Sequence, residues 1–166
     1  MILEHSHVDI TIMKILLIFT GKTTEKYLHD PINAYLARIR NYFPIEQYTT
    51  RDIRIQGDID TIKKAEAEEI LKRIEVNDFV VLLDERGQAL SSMEFAHFIQ
   101  LQLNKSVRRM VFIIGGAYGF AEEVYQRSQM LLSLSRMTFT HQMVRLILVE
   151  QLYRACTILR GEPYHH

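Results

Sequence analysis

Val111-Phe112-Ile113-Ile114, followed at once by Gly115-Gly116-Ala117-Tyr118-Gly119, is the stretch on which the fold turns. A short unbroken apolar run stopped by glycines reads as a strand buried on both faces, which is the signature of a parallel sheet covered by helices. The glycines allow positive φ and close approach of a ligand, although a tight turn at a strand exit would use the same residues. Working outward, similar runs occur at 14–19, 79–83 and 131–134, with a weaker one inside 45–55.

Helical patterns fill the intervals. Asp30-Pro31 reads as an N-cap followed by proline at the first helical position, opening a helix to about Tyr42. Asp58 caps a second helix carrying Ile59, Ile62, Ile70, Leu71 and Ile74 on one side. Ser91-Ser92-Met93-Glu94 forms a capping box for a third that reaches about Asn104. Residues 121–130 look helical, and a long last helix runs from about Thr140 to Arg160, with the stripe Val144, Leu148, Leu152, Ala155 and Leu159, Gly161 as its stop and Pro163 just beyond. The alternation predicts an α/β domain, a mostly parallel sheet with helices on both faces.

At 166 residues and 48% hydrophobic content, one domain is expected. No stretch approaches the roughly 20 apolar residues that cross a bilayer, and the N-terminus lacks the basic start of a signal peptide, so a cytoplasmic protein with no membrane partner is expected. Cys156 has no second cysteine to pair with and falls in the apolar pattern of the last helix, where it reads as core packing. The formal net charge of zero hides an asymmetry: from Lys105 onward, eight Lys/Arg, seven of them arginine, stand against four carboxylates. Arginine forks suit phosphate oxygens, so a nucleic acid touching the C-terminal part is one reading, and a solvated face of ordinary ion pairs is the other.

Some motifs fail on spacing. Gly21-Lys22-Thr23 lacks the glycine a P-loop needs five positions earlier, where Leu16 stands, and the 115–119 loop is not a dinucleotide fingerprint. The histidines show no ligand spacing, so no metal is expected. His141 and Arg145 lie one turn apart at the start of the last helix, where they could face an anion. Glu150 precedes Arg154 by four residues and could simply pair with it. Leu83-Asp84, the glycine loop and Leu134-Ser135 all follow strands, so three strand exits could meet at the carboxyl edge of one sheet, where open α/β sheets bind ligands.

Taken together, Leu82-Leu83-Asp84-Glu85-Arg86-Gly87, the 112–119 segment, Leu132 through Arg145, Glu150-Gln151-Leu152-Tyr153-Arg154-Ala155 and the tail Arg160-Gly161-Glu162-Pro163-Tyr164-His165-His166 closely resemble the RlmH family, small methyltransferases of the SPOUT superfamily. The resemblance covers residues 13–166, beginning at Met13-Lys14-Ile15; residues 1–12 have no counterpart and are read as an N-terminal extension or an upstream start. Two departures are Ala67, where glycine is common, and Arg136, where lysine is common.

The resemblance implies a C-terminal trefoil knot, a topology strand order alone would not suggest. It also implies S-adenosylmethionine as cofactor, held by Leu83, Gly115, Leu134, Ser135, Arg136, Met137, Thr138 and Phe139, and a homodimer with its site between subunits. The implied reaction methylates N3 of a pseudouridine in the decoding-region stem-loop of large-subunit (23S) ribosomal RNA, in the assembled ribosome. His165, Tyr164 and Arg154 are the expected catalytic residues, with Arg145, Arg154 and His141 on the RNA. The alternatives are a non-catalytic ribosome- or RNA-binding module, which would not bind S-adenosylmethionine, and a nucleotide-binding α/β protein, which would prefer nucleotides.

Overall fold

The computed structural model describes residues 13–53 and 56–164. The extension expected at residues 1–12, together with His165 and His166, lies outside the described residues. Five strands, β1 (Lys14–Phe19), β2 (Ile45–Thr49), β3 (Phe79–Ala89), β4 (Arg109–Ile114) and β5 (Met130–Ser133), form one sheet in the order β2-β1-β4-β3-β5, every pairing parallel. Five helices connect and cover it: α1 (Lys26–Ile39), α2 (Ile59–Leu71), α3 (Ser92–Asn104), α4 (Glu122–Arg127) and α5 (His141–Leu159).

The two-residue period of each strand divides the core. Ile15, Leu17 and Phe19 of β1, with Met110, Phe112 and Ile114 of β4, meet the apolar faces of α1, α3 and α5. Leu16, Ile18, Val111 and Ile113 point the other way, against Ala67 and Ile70 of α2 and Val124 of α4. Helices therefore cover both faces, as the unbroken apolar runs require. No helix among the described residues is long and apolar enough to cross a membrane.

Several elements start and stop as their caps dictate. Asp58 accepts from the Thr61 amide, and Ser91 with Glu94 closes a full capping box. At the end of α5 the Glu162 amide donates to the Thr157 carbonyl and the Gly161 amide to that of Ile158, a Schellman closure that needs the positive φ of Gly161.

Two boundaries and one burial differ from expectation. The first helix begins at Lys26, more than a turn before Pro31, which sits inside it. Proline there forfeits one amide donor toward the carbonyl of Tyr27, but the earlier start buries Leu28 in line with Ile32, Leu36 and Ile39. Helix α4 stops at Arg127, because Gln129 is drawn onto β3, its amide donating to the Val80 carbonyl and its side-chain oxygen accepting from the Val80 amide. Ile59 opens α2 half exposed, outside the buried stripe.

Strand β3 also runs six residues past Leu83. Leu132 of β5 stands opposite both Leu83 and Gln88, and Ser133 opposite Ala89, so residues 84–87 leave the ladder and rejoin it farther along. Gly87 lies so close to β5 that a Cβ there would sit 2.6 Å from the Leu131 carbonyl carbon and the Leu132 nitrogen. Only a residue without a side chain lets these backbones cross.

Candidate active site

Parallel register brings the strand exits level. Phe19 lies opposite Ile114, Ile114 opposite Leu83, and Leu83 opposite Leu132, so the loops that follow all open on the same edge. They enclose a cavity of about 1180 Å³. Seven of the residues expected to hold a cofactor line it: Leu83, Gly115, Leu134, Ser135, Met137, Thr138 and Phe139. Arg136 is not among the lining residues, and its side chain is exposed.

Local hydrogen bonds set the loop after β5. Ser133 donates from Oγ to the Ser135 carbonyl at 2.8 Å, and the Met137 amide donates to Ser135 Oγ at 2.9 Å. This turn leaves Met137 77% exposed and Phe139 40% exposed at the cavity, where Tyr118 of the glycine loop and Tyr27 of α1 are exposed as well. Four large apolar or aromatic side chains standing in water around a concavity mark a ligand or partner surface.

Residues 84–87 are fixed from below. Asp84 accepts from the backbone amide and guanidinium of Arg86, and Tyr125 donates to Asp84 Oδ2 at 2.6 Å. The Arg86 hydrogen bonds outweigh burial and hold the Asp84 carboxyl down at about 2.

A wall that the sequence reading missed comes from the loop between β1 and α1. Thr20, Gly21, Lys22, Thr24 and Glu25 all line the cavity. The one signal was Gly21, read only as a failed P-loop; it has a φ of +74° and turns the chain at the strand exit. Glu66 of α2 also reaches the cavity, and no spacing or motif pointed to it.

Helix α5 carries the correction that matters most. Arg145, expected on RNA, is fully buried: Nη1 donates to Thr23 Oγ1 at 2.8 Å, Nη2 to the Thr20 carbonyl at 2.8 Å, and the guanidinium stacks 5.0 Å from the Phe19 ring centre. Among the described residues no carboxylate bonds it, and burial pulls its pKa down to about 10. One turn earlier, Gln142 donates to the Lys22 carbonyl and accepts from the Thr24 amide. The first turns of α5 thus clamp the β1–α1 loop, and Arg145 has no face turned toward a phosphate backbone. His141 stands on the cavity wall; burial, with a smaller contribution from Arg145, lowers its pKa and favours the neutral ring.

The expected catalytic residues lie elsewhere in the same chain. Arg154 is thirteen residues along α5 from His141, roughly 20 Å at helical rise. It forks onto Glu150 through Nε and Nη2, and its guanidinium lies 4.9 Å from the Tyr164 ring centre. Tyr164 packs edge-on against Tyr153, donates to Glu150 Oε1 at 3.2 Å and shares a hydrogen bond with the Tyr35 hydroxyl. The bond to Tyr35, then burial, then the nearby Glu150 charge push the Tyr164 pKa well above the usual phenol range. Tyr164 therefore keeps its proton at neutral pH and is equipped to donate a hydrogen bond. His165, the third member, lies outside the described residues.

Much of the C-terminal arginine excess is spent internally. Arg109 pairs with the buried Asp78 just before β3, Arg127 donates to the Glu75 carbonyl, and Arg160 donates to the Asn41 carbonyl while covering the Tyr42 ring. The charge asymmetry is thus largely structural.

Comparison with known proteins gives this edge-of-sheet cavity its setting. A family model described as "Predicted SPOUT methyltransferase" matches residues 13–165. Curated proteins named ribosomal RNA large subunit methyltransferase H are similar over nearly the whole length: that of Christiangramia forsetii is 47% identical over 93% of this chain and 99% of its own. The Parabacteroides distasonis protein is 45% identical over the same shares. The Geobacter metallireducens protein is 47% identical, again covering 93% and 99%. With a five-stranded parallel sheet, helices on both faces and a cavity where four strand-exit loops meet, the chain belongs to the SPOUT methyltransferase family, among the relatives that carry that name.

Proposed function

We propose that this protein is a ribosomal RNA methyltransferase that uses S-adenosylmethionine to methylate N3 of a pseudouridine in the decoding-region stem-loop of the large-subunit RNA, acting in the cytoplasm on the assembled ribosome. The observation that carries the reading is the cavity at the carboxyl edge, lined by seven of the residues the family resemblance assigns to the cofactor. Its backbone edges at Gly115 and Leu134–Ser135 suit an adenine, and its volume and apolar rim fit a nucleoside-sized ligand.

When bound, the cofactor supplies an electrophilic methyl group on a sulfonium, and the chain's residues align and exclude water. Gly115 with Leu134, Ser135 and residues 137–139 hold the nucleoside, while Arg145 and Gln142 keep the 20–24 loop closed against α5. The reading includes the C-terminal knot that the resemblance implies; residues 84–87 leave the β5 ladder there, with Gly87 close against the β5 backbone.

N3 of the base must lose a proton around attack. Tyr164 keeps its proton at neutral pH; in this reading it packs against the base or turns its hydroxyl from Glu150 to it, and His165 takes the proton. Arg154, positioned by Glu150, adds positive charge next to Tyr164. Because this group lies far along α5 from the cavity of its own chain, the reading needs a second subunit whose tail meets the first subunit's cavity. A homodimer packed along α5 would also cover Leu146 and Ile147, which the single chain leaves half exposed.

The test is mass spectrometry of the decoding-region stem-loop from ribosomes incubated with the protein and S-adenosylmethionine carrying a labelled methyl group. Label on the pseudouridine N3 is expected. Cofactor binding without label would retain the methyl donor and overturn the substrate.

A further inference from the structure

Among the carboxylates that line the cavity, Glu66 stands apart. Asp52 has Lys22 at 3.8 Å, Asp84 has Arg86 and Tyr125, Glu85 meets the Thr138 hydroxyl, and Glu25 is exposed to water, which solvates its charge. Glu66, half-buried on α2, makes no hydrogen bond or ion pair among the described residues, and burial alone raises its pKa. Its position is fixed against the glycine edge, where a Cβ on Gly116 would come 2.9 Å from Glu66 Oε1. A partly desolvated carboxylate with no partner is a cost to the folded chain, and a site that keeps one open toward a cavity is built to have it met by a ligand.

We propose that Glu66 is the counter-charge for a cationic group on the methionine side of the bound methyl donor. The proposal rests on S-adenosylmethionine being that donor. The backbone edges of 134–139 and Gly115 suit an uncharged adenine, whereas Glu66 offers a full negative charge that hydroxyl groups would only partly balance. The balance of the cavity agrees: five carboxylates line it against two cations, Lys22 and Arg86, so a net positive ligand is favoured.

The substitution Glu66→Gln keeps shape and removes charge. Affinities of wild type and variant are measured by calorimetry for three probes: S-adenosylmethionine, with a sulfonium and an ammonium; S-adenosylhomocysteine, with the ammonium only; and methylthioadenosine, with neither. The expected result is a loss of roughly tenfold for S-adenosylmethionine with methylthioadenosine unchanged. An equal loss for S-adenosylhomocysteine identifies the ammonium as the partner, and a loss confined to S-adenosylmethionine identifies the sulfonium; both uphold the counter-charge. The ligand-free variant should melt no lower than wild type, since an unpaired, partly desolvated charge has been removed. Equal loss for all three probes, or no loss for any, overturns the proposal while leaving the donor intact. Failure of the wild type to bind S-adenosylmethionine at all overturns the donor assignment and the proposal together.

Discussion

Replacing Gly87 with alanine adds one methyl group at the point where two backbones cross. The new Cβ would stand 2.6 Å from the Leu131 carbonyl carbon and the Leu132 nitrogen, about 0.8 Å inside the 3.4 Å at which ordinary contact begins. Both obstacles are main chain, so no side-chain rotation relieves them. Either β5 or the 84–88 segment must retreat, which breaks the alignment of Gln88 with Leu132 and Ala89 with Ser133. Losing about two ladder hydrogen bonds at ~1 kcal/mol each, with overpacking of about 1–3 kcal/mol, gives a destabilisation of roughly 3–5 kcal/mol. For a chain of this size that lowers the Tm by roughly 6–20 °C. The assay is urea unfolding of G87A beside G161A. At Gly161 nothing lies within 4 Å of the added Cβ, and the loss is only the strain of a positive φ, about 1–2 kcal/mol. If G87A proved no less stable than G161A, the close crossing of residues 84–88 over β5 would be wrong.

Three further outcomes follow from the same structure. R145A removes both donors to the 20–24 loop and a fully buried stem, costing about 3–5 kcal/mol; R145M keeps the volume and sheds a desolvated charge, costing less, but still speeds amide exchange in residues 20–24, and unchanged exchange would refute the clamp. Asp84 is held at about 2 against an ordinary 3.8, so its stabilisation is present above pH 4 and is lost as pH falls through 2; stability measured across that window should drop by on the order of 1–2 kcal/mol more in wild type than in D84N. Burial pushes the Cys156 thiol up to about 12, so at pH 8 its reaction with a disulfide reagent should follow the rate of unfolding, and prompt labelling of the native protein would contradict its place in the core.

The reach of the sequence depended on how local the deciding interaction was. Ser91 and Glu94 satisfy each other's backbone amides three residues apart, and Gly161 closes α5 through carbonyls three and four residues back, so both boundaries were legible. Pro31 misled because its local preference for a helix start yielded to the burial of Leu28, a contact made only once α1 packs on the sheet. Residues 129–130 carry a helical pattern, yet the free edge of β3 claimed them, Gln129 through its hydrogen bonds with Val80 and Met130 as the first residue of β5. Arg145 shows the same limit within the candidate site: its spacing from His141 placed it on α5, but nothing in that spacing revealed that Thr20 and Thr23, more than a hundred residues earlier, would surround it.

The sequence by itself determined the parallel α/β class, the caps of α2, α3 and α5, the three loops that converge at one edge and, through their combined motifs, the family. Those features rest on periodicity and on bonds within a few residues, which a chain carries wherever it goes. Tertiary structure alone decided that the β1–α1 loop and Glu66 complete the cavity, that Arg145 is a buried clamp, and that Tyr164 and Arg154 stand far from their own chain's cavity. Each of these depends on strand order and helix packing, which bring together groups that no sequence window contains.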